Sequence, residues 1–331
     1  MKKRRLGSYE VAPIGLGVMN LSHAYGVPAT KEQGHALLAR ALELGVDHFD
    51  TAAFYGNGKN EELAGPFLKP FRNRIRLISK GGMAMIDGKR TVDSRPESLK
   101  RDCDNSLRRL QTDHIDLYYV HRWNRDVPIE EVVGGMADLK RAGKIGEIGL
   151  SEISAETLRK AHKEAYVAAV QNEYSLWTRN PEIALSQACA ELDTALVAFS
   201  PVARGFLSDQ DLDPKSFAPG DLRITMPRFM EPNFAKNCAL LAEYRAYARK
   251  IGTTSARLAL AWLLHKGEHI LPIPGTVSLR HLEENVGAQD IVLTPKQMVE
   301  IDQLIAGGKV HGARYTQAAQ LDIDTEQFPD E

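Results

Sequence analysis

Gly45-Val46-Asp47-His48-Phe49-Asp50-Thr51-Ala52-Ala53-Phe54-Tyr55-Gly56 opens on a helix-stopping glycine, continues as a short β-rich run, and ends in Asp50, Thr51 and a bend of small residues that carries Tyr55. An acid at a strand end and a phenol on the loop beyond it can face one cavity. A phenol has an ordinary pKa of about 10 and gives up its proton poorly near neutrality unless a cation stabilises the anion. The next strand-like run, Ile75-Arg76-Leu77-Ile78-Ser79-Lys80, ends in such a cation. The one after it, Ile115-Asp116-Leu117-Tyr118-Tyr119-Val120, runs into His121. Parallel strands with helical crossovers place their carboxyl ends on one face, so Asp50, Tyr55, Lys80 and His121 are expected to converge.

Working outward, helix-like and strand-like stretches alternate along the chain. Upstream, a strand is predicted over 14–17, and Thr30 with Gln33 forms a capping-box pattern for a helix through Leu37, Leu38, Ala41 and Leu42 that Gly45 stops. Downstream, helices are predicted over 59–68, from a second capping box at Ser94 and Glu97 to Leu110, and over 128–141, 154–163, 180–192, 234–251, 254–265 and 279–286. Strands over 145–150, 167–171, 195–199 and 270–273 fall between them, and Asn180-Pro181 reads as an N-cap with proline at the first helical position. Eight strands alternating with helices and no break in composition predict one (β/α)8 TIM barrel domain over 1–331, α/β in class, rather than a doubly wound open sheet. A hairpin around Gly7-Ser8 precedes the barrel and an irregular tail follows Gly308. The stretch 200–228, rich in Asp, Pro and Gly, is long enough to be a covering or binding loop.

Composition narrows the function. A formal net charge of -1 and a pI near 6.8 give no electrostatic reason to bind nucleic acid or acidic lipid. The basic start Met1-Lys2-Lys3-Arg4-Arg5 is read as a solvated terminus, because Leu6-Gly7-Ser8-Tyr9-Glu10 supplies no apolar core for a signal peptide. No apolar run approaches the roughly 20 residues of a membrane helix. Cys103, Cys189 and Cys238, odd in number and far apart, suit a reducing compartment, and the expected setting is the cytoplasm. His265-Lys266-Gly267-Glu268-His269 spells a zinc pattern, but that pattern needs both histidines on one helix face; Gly267 interrupts it, and no metal is expected.

The convergent quartet, with Asp-Thr-Ala and Tyr-Gly flanking two of its members, resembles the catalytic tetrad of the aldo-keto reductase family. The likeness runs from Arg4 to Tyr315 and is strongest to the bacterial and fungal branch that writes Asp-Leu-Tyr-Tyr before His-Arg and Pro-Ile-Pro-Gly-Thr near the end. It implies NADPH-dependent reduction of an aldehyde or ketone to an alcohol, with a small-molecule carbonyl compound as partner and NADPH preferred to NADH. Hydride addition to a carbonyl leaves an alkoxide that needs a proton. Tyr55 would supply it, Lys80 would lower the phenol pKa, Asp50 would hold Lys80, and His121 would orient the substrate oxygen.

Neither Gly15-Leu16-Gly17 nor Gly56-Asn57-Gly58 makes a Gly-rich nucleotide fingerprint, and the resemblance implies instead that the carboxyl-end loops of the barrel hold the dinucleotide. By resemblance, Ser151 and Gln171 meet the nicotinamide amide and Phe199 stacks on its ring. Ser200, Pro201, Arg204, Gly205 and Leu207 begin the covering segment. Gly275, Thr276 and Arg280, with His281, hold the adenosine phosphate, and Glu284 and Asn285 meet adenine. Met19 and Asp50 adjoin the cofactor, and with Met19 the residues Tyr25, Met83, Met85 and Trp123 would line the pocket for substrate. Three places depart from the usual pattern: Phe199 stands for Tyr, Glu152 for Asn, and Gly275 for Lys. Two other readings stay open, a dinucleotide-sensing regulatory subunit on the same fold and a barrel lyase or isomerase that uses Tyr55 and His121 without nicotinamide.

Overall fold

Strands that are apolar on both faces need cover on both sides, which parallel sheets obtain from crossover helices outside and from each other inside. The strand Ile115–Val120 is buried at every position, and so is Ala169–Glu173. The computed structural model describes residues 2–22, 24–306 and 308–328; Met1 of the basic start lies outside that range. A hairpin of β1 (Arg4–Leu6) and β2 (Tyr9–Val11) comes first. The barrel strands are β3 (Leu16–Gly17), β4 (His48–Asp50), β5 (Arg76–Gly81), β8 (Ile115–Val120), β9 (Ile145–Ser151), β10 (Ala169–Glu173), β11 (Ala195–Phe199) and β12 (Ile270–Pro272). Each pairs in parallel with the next. A parallel bridge between Gly17 and Gly275, with Gly15 N donating to the Pro272 carbonyl at 3.1 Å and Gly17 N to that of Pro274 at 3.2 Å, joins the last strand to the first. The sheet is a closed (β/α)8 barrel.

Side-chain direction alternates as a strand period of two requires. Ile78, Leu117, Tyr119, Ala169, Val197 and Leu271 point inward and form the barrel interior, which Leu6 and Val11 of the hairpin plug from below. Their sequence neighbours Leu77, Tyr118, Val120, Val170 and Leu196 point outward against the helices. Each such side chain contributes roughly 1.5–3 kcal/mol by leaving water. The outer ring comprises α1 (Lys31–Glu43), α2 (Lys59–Leu68), α3 (Pro96–Leu110), α4 (Ile129–Arg141), α5 (Ala155–Glu164), α6 (Leu185–Glu191), α7 (Asn233–Lys250), α8 (Ser255–Lys266), α9 (Leu279–Val286) and α10 (Pro295–Leu304). The Thr30–Gln33 capping box forms as expected.

Several expectations need correction. Ser94 caps no helix: α3 starts at Pro96 after Arg95, and the Ser94 hydroxyl accepts a hydrogen bond from Asn124 N at 3.0 Å instead. The helix expected over 180–192 is broken into a 3-10 turn at Asn180–Glu182 and α6, because Pro181 starts a turn that does not propagate. A second hairpin, β6 (Met83–Ile86) with β7 (Lys89–Val92), interrupts the loop after β5. The tail is not wholly irregular, since it carries α11 (Gln317–Gln320) and returns across the barrel mouth.

The two histidines of the zinc pattern are engaged separately. His265 bonds to the Ala261 carbonyl and to Leu293 N, whereas His269 contacts the Ser186 hydroxyl. Among the described residues no cluster of His, Cys, Asp or Glu can hold a metal, and no helix is long and apolar enough to cross a membrane. Cys103 and Cys189 are buried and unpaired, and burial pushes the Cys103 thiol up to about 12.

Candidate active site

Strand register fixes two of the four groups. Asp50 lies between Gly17 and Ile78 on the neighbouring strands, and Lys80 is paired with Tyr119 at the same end of the barrel. The loop after β4 is then tied down by a buried polar knot. The Thr51 hydroxyl donates to Asn60 Oδ1 at 2.6 Å, while Asn60 Nδ2 donates to the Val18 carbonyl at 2.8 Å and to Ser22 Oγ at 2.6 Å. Gly56 and Asn57 take left-handed backbone angles (φ 57° and 55°), and this tight turn keeps Tyr55 over the mouth instead of letting α2 start earlier.

The quartet does converge. The Lys80 ammonium donates to an Asp50 carboxylate oxygen, to the Thr51 carbonyl at 2.9 Å and to the Tyr55 hydroxyl at 3.3 Å. The other Asp50 oxygen accepts from Gln171 Nε2 at 2.8 Å. His121 sets its ring edge-on to Tyr55, with centroids 5.6 Å apart at 87°. Burial alone would discharge Lys80, but Asp50 and Tyr55 outweigh it and hold the ammonium above its ordinary value. Tyr55 departs from expectation: burial pushes the phenol above 10 despite the Lys80 charge, which pulls it down, and Asp50 pushes the same way as burial. Lys80 therefore tempers a desolvated phenol instead of producing a net drop.

Asp50, Tyr55 and His121 floor a cavity of about 820 Å³ that runs between the loops to α9. Of the residues expected at the cofactor, Met19, Ser151, Gln171, Phe199, Ser200, Pro201, Arg204, Gly205, Gly275, Thr276, Arg280, Glu284 and Asn285 line it. Leu207 does not; it is fully buried in the core beneath the loop. Tyr25 and Met83 line the cavity, but Met85 and Trp123 do not. Met85 sits exposed on the β6–β7 hairpin, and the indole of Trp123 donates to the Val127 carbonyl at 2.8 Å while packing on the outer core. Lys80 lies behind Asp50 and Tyr55, 1% exposed.

The three departures have physical accounts. A Cβ on Gly275 would fall 2.5 Å from Asn20 Oδ1 and 2.9 Å from the Gly17 carbonyl, so the barrel closure leaves no room for a lysine there. Phe199 keeps a ring at the end of β11 on the cavity wall. Glu152 turns away from the cavity, with φ of 55°, and accepts from Glu173 N at 2.9 Å and from Arg314 at 2.7 Å.

That last contact belongs to a buried charge network that the sequence reading missed. Glu173 accepts from Arg204 at 3.1 Å and from Arg314 at 3.4 Å, and Arg204 also donates to the Tyr25 hydroxyl at 2.9 Å. It ties the covering loop, the loop after β3 and the tail to the end of β10. Arg90, Arg122, Tyr315, Thr316 and Ala319 also line the cavity unforeseen. The Asp87-Gly88 turn could have revealed the hairpin that carries Arg90, whereas nothing local marks the tail.

A closed parallel barrel whose carboxyl-end mouth gathers a Lys-supported phenol, a histidine and a long cleft toward a helix start has the layout of the barrel enzymes, whose active sites lie at that end. Comparison with known proteins gives the family. The sequence profile described as "Aldo/keto reductase family" matches residues 13–306, and the chain belongs to that family and is an oxidoreductase. It is 39% identical to the aldo-keto reductase yakc [NADP(+)] of Schizosaccharomyces pombe over 98% of both chains. It is also 39% identical to a probable aldo-keto reductase 1 of Glycine max, over 93% of this chain and 89% of that one. A glycerol dehydrogenase of Gluconobacter oxydans superposes with a TM-score of 0.84 at 25% identity, covering 95% of this chain and 98% of that one. An aldo/keto reductase of Klebsiella pneumoniae, solved with NADP and acetate, gives 0.74 at 28%, covering 95% and 99%.

Proposed function

We propose that the protein reduces an aldehyde or ketone to the alcohol with NADPH, Tyr55 giving the proton. The observation that carries this reading is the Lys80 ammonium in contact with both Asp50 and the Tyr55 hydroxyl beneath the cavity floor. Bound NADPH supplies the hydride. The fit of a dinucleotide rests on one continuous cleft that reaches from Tyr55 to Arg280 and Asn285. The NADP(+) in the name of the fission-yeast relative and the NADP in the Klebsiella pneumoniae structure support the phosphorylated form.

The residues divide the work by position. Ser151, Gln171 and Phe199 hold the nicotinamide at the barrel mouth, and Thr276 and Arg280 meet the adenosine phosphate at the start of α9, where free N–H groups and the helix dipole favour an anion. The substrate carbonyl lies between the Tyr55 hydroxyl and the His121 ring. As its oxygen gains charge, the phenol proton moves to it, and the phenolate left behind is stabilised by the Lys80 ammonium, whose own charge Asp50 maintains. Burial holds the phenol above its ordinary value and so favours the protonated form that reduction requires.

Fluorescence titration with NADPH and NADH, followed by absorbance assays on a panel of aldehydes and ketones, tests the reading. Tight NADPH binding with turnover of a carbonyl is the expected result. Failure to bind either dinucleotide overturns it.

A further inference from the structure

Arg122 follows His121 just beyond the end of β8 and lines the cavity together with Tyr55, the proposed proton donor. One terminal nitrogen, Nη1, is occupied: it donates to the His121 carbonyl at 2.6 Å and to Ser151 Oγ at 3.2 Å. These contacts fix the plane of the group. Nε and Nη2 have no acceptor among the described residues, and no carboxylate pairs with Arg122 there. Nε–H and Nη2–H form one edge of the guanidinium fork, whose two parallel donors match the two oxygens of a carboxylate.

A second cation lines the same cavity. Arg90, carried by β7, also lines it and pairs through Nη2 with Asp322 of the tail. Burial first, and repulsion by the Arg122 charge second, hold the Arg90 guanidinium below its ordinary value. An anion between them would relieve that repulsion. Asp50, also at this floor, is already committed to Lys80.

We propose that the cavity takes carbonyl substrates bearing a carboxylate, which the Nε/Nη2 edge of Arg122 grips in a bidentate pair with Arg90 adding charge. This inference rests on the reductase reading and names the substrate class for it. With Nη1 anchored on His121 and Ser151, the carboxylate is held next to the tetrad and the carbonyl is presented to Tyr55 in one orientation. Arg122 is on this account a specificity-determining residue.

The test compares phenylglyoxylate and para-formylbenzoate with their methyl esters, which keep ring and carbonyl and lose the charge. Initial rates with saturating NADPH are measured for the wild type, Arg122→Met and Arg122→Lys. For at least one acid, kcat/KM in Arg122→Met is expected to fall about tenfold to a hundredfold more than for its ester, the loss carried mainly by KM. Arg122→Lys, which keeps the charge without the fork, restores part of it. Equal losses on acid and ester in both pairs would mean that Arg122 only braces Ser151, and would overturn the carboxylate subsite while leaving the reductase reading intact. Absence of wild-type turnover on all four compounds and on the wider carbonyl panel overturns the reductase reading and this one with it.

Discussion

Replacing Glu173 by Gln keeps the shape of the side chain and removes the anion that holds the buried network together. Glu173 is 3% exposed and accepts from Arg204, Arg314 and the Thr178 hydroxyl, which in turn accepts from Arg228 at 2.7 Å. Burial alone would raise its carboxyl, but the charges of Arg204, Arg314 and Arg228 overcome that and lower it from 4.5 to about 2. A depressed carboxyl contributes stability that is fully present above the unfolded value and is lost as pH falls toward the folded one. The difference corresponds to about 3 kcal/mol at neutral pH and to roughly half of that or less at pH 3. Glu173→Gln is therefore expected to unfold about 3 kcal/mol more easily at pH 7, with a gap from wild type that narrows as both are titrated below pH 4.5. Urea unfolding followed by circular dichroism at a series of pH values reads this directly. A gap that is absent at neutral pH, or that stays constant down to pH 3, would refute the assignment of Glu173 as the ionised centre of the network.

Two further predictions concern the dinucleotide end and barrel closure. Arg280→Ala should weaken NADPH binding more than NADH binding in a fluorescence titration; equal weakening contradicts its contact with the adenosine phosphate. Gly275→Ala forces a Cβ to within 2.9 Å of the Gly17 carbonyl and 2.5 Å of Asn20, and should lower stability by about 1–3 kcal/mol in urea unfolding. An unchanged midpoint there would show that the β3–β12 seam yields easily.

The barrel was legible in the sequence because its signals are local and repeated. Gly45 stopping α1, the Thr30–Gln33 capping box, and short apolar runs ending in polar residues each appear in the structure where the pattern put them. The convergence of Asp50, Tyr55, Lys80 and His121 was legible for the same reason, since parallel strands leave their ends little choice of face. Local signals also misled or were overlooked. Ser94 satisfies the capping pattern but is drawn into a tertiary bond with Asn124, and Thr294-Pro295 with Gln297 marks α10 as plainly as the first capping box marks α1. The Glu173 network was not legible, because Arg204, Arg314 and Glu152 meet only through folding of distant segments and no spacing relates them. The sign at Tyr55 was missed because the cost of burying a phenol depends on the finished cavity.

The central claim, that Tyr55 delivers the proton in an NADPH-dependent carbonyl reduction, is tested most directly by single-turnover kinetics of wild type and Tyr55→Phe with bound NADPH. The variant keeps the ring and loses only the donor. Hydride transfer is expected to slow about a hundredfold to ten-thousandfold with NADPH affinity unchanged. Transfer at the wild-type rate in Tyr55→Phe would contradict the account and move the proton donor elsewhere in the cavity.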